Sequence, residues 1–87
     1  MNFLPKILIV DDSPEMLSLM VTILGATGYV LLQAESGAEC LRKVSEEKPD
    51  LVILDINLPD INGIDVCRTI KADPHSAGVY VLLMTGM

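Results

Sequence analysis

Asp50-Leu51-Val52-Ile53-Leu54-Asp55-Ile56-Asn57-Leu58-Pro59-Asp60-Ile61-Asn62-Gly63 is the stretch on which the reading of the fold turns. Four apolar residues in a row, Leu51 to Leu54, lack the alternation of a strand with one wet face, so they read as a strand buried on both faces, as in a parallel sheet. The run ends on a carboxylate, and Pro59 and Gly63 mark the next segment as a loop. Asp55 is therefore expected at the carboxyl end of a strand, where open α/β sheets bind ligands. Taken alone, Asp55 reads more readily as a residue that caps the strand and meets solvent.

A second stretch changes that balance. Lys6-Ile7-Leu8-Ile9-Val10-Asp11-Asp12-Ser13-Pro14 is another short apolar run that ends in acid. If the two runs are neighbouring parallel strands, Asp11, Asp12 and Asp55 meet at one sheet edge, and carboxylates so close repel strongly unless something positive binds among them. An oxygen-only, partly open site suits Mg²⁺ or Mn²⁺, which take a few carboxylates and complete their octahedra with water and phosphate oxygens.

The whole chain sets the limits. Its 87 residues, 51% of them hydrophobic, make one domain with ample core-forming residues, and residues 1–87 are read as that single unit. The apolar runs are strand-sized, short of the roughly 18 residues a membrane span needs, and Lys6, Asp11 and Asp12 spoil a signal peptide. A cytoplasmic protein without a membrane partner is expected. The formal charge of -6 disfavours contact with a phosphate backbone, so no direct nucleic-acid partner is expected either. Cys40 and Cys67, far apart and without zinc spacing, read as small buried apolar residues, and His75 in Asp73-Pro74-His75-Ser76 as an exposed turn residue.

In chain order, Lys6 to Val10 forms the first strand, and Ser13-Pro14 supplies the N-cap and first-turn proline of a helix. That helix should turn Met16, Leu17, Met20, Ile23 and Leu24 inward and close on Gly28 as a left-handed cap. Tyr29 to Ala34 is the second strand. Ser36-Gly37-Ala38-Glu39 matches a capping box for a second helix, with Ala38, Leu41 and Val44 inward and Pro49 as its stop. A third helix carries Ile64, Cys67 and Ile70, and Val79 to Met84 is a fourth strand ending at Thr85. Strand and helix alternate throughout, which calls for a parallel sheet with right-handed crossovers and helices on both faces.

Several chemistries are disfavoured. The first strand-to-helix turn is Asp-Asp-Ser where a nucleotide binder places glycines. A Ser-His-Asp hydrolase lacks its Gly-x-Ser-x-Gly elbow. An aspartate-nucleophile phosphatase of the haloacid dehalogenase type needs Asp-x-Asp, and position 57 is asparagine. An aspartate acting as nucleophile toward phosphorus, with a metal neutralising charge, remains.

Asp11-Asp12, Leu51 to Asp55 with Pro59 and Gly63, and the apolar strand ending in Thr85 together resemble the receiver domain of two-component response regulators. The resemblance implies a flavodoxin-like doubly wound α/β fold of strand order 2-1-3-4-5, and a phosphorelay module in place of an enzyme. It implies Asp55 as phosphoacceptor, served by a sensor histidine kinase or a histidine phosphotransfer protein. Mg²⁺ would be held by Asp12, Asp55 and the Asn57 backbone carbonyl, with Asp11 assisting through water, and Thr85 would give its hydroxyl to the phosphoryl group.

Receivers normally continue through a fifth strand bearing a lysine and further helices, which these 87 residues lack, so the domain is expected to be incomplete at its carboxyl end. Lys6 cannot stand in for that lysine, because it begins a strand about 16 Å from Asp11 at roughly 3.3 Å per residue. Either the natural chain continues beyond Met87, or two outcomes are expected: impaired phosphoryl transfer, and a homo-oligomer or docked partner on the fourth strand or the uncovered sheet face.

Overall fold

The computed structural model describes residues 4–85. Four strands and three helices alternate along it: β1 (Lys6–Val10), α1 (Pro14–Gly25), β2 (Val30–Ala34), α2 (Gly37–Glu47), β3 (Leu51–Asp55), α3 (Gly63–Ala72) and β4 (Tyr80–Met84). The strands form one sheet, parallel as the alternation predicts, in the order β2-β1-β3-β4 that the family resemblance implies. β1 and β3, the two runs that end in acid, are neighbours, with Val10 opposite Leu54.

Strand periodicity splits the core in two. Leu8, Val10, Val52 and Leu54 face one side and pack with Cys40 and Val44 of α2 and Val66 and Ile70 of α3. Ile7, Ile9 and Ile53 face the other and pack with Leu17 of α1. The central strands are therefore buried on both faces, which is why their sequences do not alternate. Burial pushes the Cys40 thiol up to about 12, so it acts as a small apolar residue, whereas Cys67 is only half-buried. His75 is exposed in the turn before β4.

Helix starts fall where local chemistry puts them. Ser13 caps α1 through its hydroxyl, which accepts from the Met16 N–H at 3.3 Å, and Pro14 opens the first turn. Ser36 does the same for α2, accepting from Glu39 N–H at 3.1 Å, while the Glu39 carboxylate accepts from Glu35 N–H at 2.8 Å, one residue before the cap. Lys48 ends α2 in the left-handed conformation, φ 50°, immediately before Pro49.

Helix ends and helix faces depart from expectation in four places. α1 stops at Gly25, with Thr27 N–H returning to the Leu24 carbonyl at 3.0 Å, and Gly28 takes its positive φ of 82° in the turn beyond. Met16 and Ile23 point outward, the latter 62% exposed, and Met20, Val21 and Leu24 pack inward beside Leu17. Ala38 is exposed while Cys40 takes the buried position in α2. Ile64 is exposed and Val66 replaces it in the core. The three departures in helix faces share a cause: α1 is apolar nearly all round, and α2 and α3 share one sheet face, so neighbouring elements decide which side is covered.

β4 is one edge of the sheet among the described residues and β2 is the other. On β4, Tyr80 is 76% exposed and Leu82 54%, and only Val81 and Met84 reach the two cores.

Candidate functional site

Register brings the acids together. Because Val10 lies opposite Leu54, the next residues, Asp11 and Asp55, lie level on adjacent strands. Both share the strand face of Ile9 and Ile53 by the two-residue period, so both side chains emerge at the α1 side of the sheet's carboxyl edge. A carboxylate oxygen from each of Asp11, Asp12 and Asp55 lies within 4.8 Å of the others. Asp11 and Asp55 are buried, 7% and 6% exposed, and Asp12 is open to solvent.

The backbone fixes these groups tightly. Asp11 N–H donates to the Ala34 carbonyl at 3.1 Å, carrying the β1–β2 ladder one residue past the strand, and its Oδ1 accepts from Ser13 N–H at 2.9 Å. Asp55 Oδ1 accepts from Asn57 N–H at 3.1 Å, and Ile56 N–H donates to the Met84 carbonyl at 3.0 Å. Asn57 is exposed in the β3–α3 loop, immediately beside Asp55. Since Asp55 pairs with Met84, Thr85 sits one residue beyond it at the same sheet edge, also exposed.

Three carboxylates at this spacing carry more negative charge than the fold compensates. Among the described residues the ion pairs lie on α2 and α3, Arg42 with Glu39 and Glu46 and Arg68 with Asp65, and none reaches the cluster. Burial raises the Asp11 carboxyl above the usual carboxylate range, the hydrogen bond from Ser13 opposes the rise, and the charges of Asp55 and Asp12 add to it. A carboxyl raised by folding adds stability in its protonated form: the contribution is complete below the unfolded value and is lost as pH rises through the folded one. Asp11→Asn, which keeps an acceptor for Ser13 N–H, should therefore raise the metal-free melting temperature at pH 7. The gain comes first from no longer burying a charge and then from relieved repulsion, is about 1 kcal/mol, and fades toward pH 4. Thermal melts of both proteins across that pH range check it.

The donor set fits a hard divalent cation: only oxygens, two buried anions and one exposed, at an edge open enough for water. Sequence reasoning missed one contributor to this edge. Asp60, in the same loop as Asn57, accepts from the N–H groups of Gly37 and Ala38 at the start of α2, at 2.8 and 2.9 Å. Those bonds hold its carboxyl below the usual carboxylate range. No local signal points to it, because donor and acceptor lie on different elements.

Known proteins resemble this chain in sequence and in fold. The chain is 40% identical over 80 residues to the DNA-binding response regulator MtrA of Mycolicibacterium smegmatis, covering 92% of this chain and 34% of that protein. It is 35% identical to PilH of Pseudomonas aeruginosa, covering 92% of this chain and 66% of that one. The chain thus spans about a third of MtrA and two thirds of PilH. Among solved structures, the N-terminal domain of a response regulator receiver protein from Methanoculleus marisnigri superposes with a TM-score of 0.92 at 40% identity, covering 98% of this chain and 69% of that one. The chemotaxis response regulator CheY4 of Vibrio cholerae gives 0.88 at 26% identity, over 93% and 68% of the two chains. The model of the response regulator receiver domain matches residues 7–87, and the chain accordingly belongs to that family of two-component signalling domains.

Proposed function

We propose that this receiver domain accepts a phosphoryl group on Asp55 from a phosphohistidine of a sensor histidine kinase or phosphotransfer protein. The observation that carries the proposal is the meeting of three carboxylates from two adjacent strand ends within 4.8 Å. A carboxylate oxygen of Asp55 attacks phosphorus, the phosphorus–nitrogen bond to the donor imidazole breaks, and an acyl phosphate forms. Asp11 and Asp12, with Asp55 and the Asn57 carbonyl, are the groups that would hold Mg²⁺, whose charge when bound offsets that of the carboxylates and the transferring phosphoryl oxygens. Burial orients Asp55 through its bond from Asn57 N–H, and leaves the outer side of the cluster, at Asp12, open to a donor. Thr85, at the same edge, is assigned to meet the added charge of roughly -1.5 to -2 with its hydroxyl.

Intact mass after treatment with a small phosphodonor and Mg²⁺ tests the reading. One phosphoryl group per chain is expected, and its absence where another receiver reacts would overturn the assignment. MtrA is named as DNA-binding, and this chain spans 34% of it. With a formal charge of -6, we assign no nucleic-acid contact to the present residues.

A second reading is a module for oligomerisation or partner docking through β4, whose Tyr80 and Leu82 are exposed within the described residues. An edge strand with apolar side chains invites a second copy to pair with it. Sedimentation at micromolar concentration should then show a dimer or larger species, and a compact monomer would refute it.

A further inference from the structure

We propose that Asp60 is a positioning residue for the acid site: by gripping the first backbone N–H groups of α2 it fixes the β3–α3 loop, and with it the Asn57 carbonyl, against Asp12 and Asp55. The inference rests on the metal site proposed above and adds to it the part of the molecule that sets one of its ligands in place.

The start of α2 has more capping than it needs for itself. The hydroxyl of Ser36 serves Glu39 N–H, and the Glu39 carboxylate reaches back to Glu35 N–H. Two further helix donors, Gly37 and Ala38, remain, and in an ordinary surface helix water would satisfy them. Here both are given to one carboxylate from a distant loop, in bidentate fashion, at 2.8 and 2.9 Å. A charged acceptor on two backbone donors at a helix's positive end is a stronger joint than a neutral one and fixes direction through two bonds, although Asp60 itself is exposed.

A second, independent feature shows that the joint is built for contact. A Cβ added at Gly37 would lie 3.0 Å from Ile61 Cβ and Val66 Cγ2 and 3.3 Å from Asp60 Oδ1, so loop and helix approach this closely only because position 37 carries no side chain. The loop between Asp55 and Gly63 is otherwise tied at its ends. Asn57 N–H donates to Asp55 Oδ1, and Gly63 N–H donates to the Ile56 carbonyl at 2.8 Å. In its middle it has the apolar contacts of Leu58 and Ile61 with the core, which resist lifting but fix direction poorly, and the Asp60 bonds, which fix it well.

Metal ligands held by outer partners typically lose about 10-fold to 100-fold in affinity when those partners are removed. Calorimetric titration of the intact protein with Mg²⁺ alone, without phosphodonor, reads this directly. Asp60→Ala is expected to weaken binding by about tenfold, and Asp60→Asn, which keeps one acceptor, by less. Gly37→Ala, which pushes the loop away from the helix side, should weaken it too. Ser36→Ala removes a cap from the same helix end without touching the loop, and should lower the melting temperature while leaving Mg²⁺ affinity as it was. Unchanged affinity in Asp60→Ala overturns the inference and leaves the metal site standing, as does an equal loss in Asp60→Ala, Asp60→Asn and Ser36→Ala. Wild-type protein that binds no Mg²⁺ overturns both.

Discussion

Asp55→Asn is expected to abolish incorporation of a phosphoryl group from a small phosphodonor, with intact mass unchanged after treatment, and to leave the protein folded and more stable to heat. Both halves come from the same geometry. The amide lacks the anionic oxygen that attacks phosphorus, so the reaction loses its nucleophile and not merely its orientation. Asparagine retains a carbonyl oxygen where Asp55 Oδ1 accepts from Asn57 N–H, so the local backbone bond survives. At the same time one of three mutually repelling carboxylates disappears from a site where two are almost fully buried. A higher melting temperature in metal-free buffer, together with silence toward the phosphodonor, separates loss of chemistry from loss of structure. Mg²⁺ should stabilise wild type by about 2.7 kcal/mol at a hundred times its dissociation constant, and should do far less for the variant.

Gly63→Ala is expected to have the largest effect on stability of any single methyl addition in the loop. The Cβ would fall on the carbonyl oxygen of Asp55 and 2.7 Å from the Ile56 Cα, and both obstacles are backbone, so no rotamer change relieves them. Overpacking of this kind costs about 1–3 kcal/mol and more where the backbone must yield. For a domain of this size that corresponds to a fall in melting temperature of roughly 10 °C or more. The displaced atoms belong to Asp55 and its neighbour, so Mg²⁺ binding by the variant should fall as well, measured below its lowered melting temperature. A variant that melts with wild type would mean that the loop has room the structure does not show.

Sequence alone gives away the sheet and the acids because the signals are local and reinforce one another. Ile7 to Val10 and Leu51 to Leu54 are apolar without alternation, each stops at aspartate, and a parallel pairing of the two needs nothing else to bring Asp11 and Asp55 level. The caps at Ser13 and Ser36 are equally local. Helix faces are not. Met16 and Ile23 are as apolar as Leu17 and Leu24, and only the sheet, by covering one side of α1, decides between them. Ala38 looks like a core residue by type, yet it lies in the first turn of α2, where its N–H serves Asp60 and its methyl meets solvent. Gly28 takes its left-handed conformation as expected, but after α1 has already ended at Gly25. Asp60 itself reads as one more loop acid, because its partners stand 22 and 23 residues away on another element. Pairings at that separation leave no trace in local pattern.

The central place of β1 has a consequence for how the chain comes into being. It is made first, yet it is held on one side by β2 and on the other by β3, whose residues 51–54 are added much later. At about 5–20 residues per second of synthesis, Ile7 to Val10 wait on the order of seconds for their second neighbour. During that interval a strand destined for the interior offers an open apolar edge to whatever else is nascent nearby. Closing the sheet then requires a distant crossover, which is slow compared with forming any of the helices. Substitutions that strengthen the finished domain at α3 or β4 leave that window as long as it was.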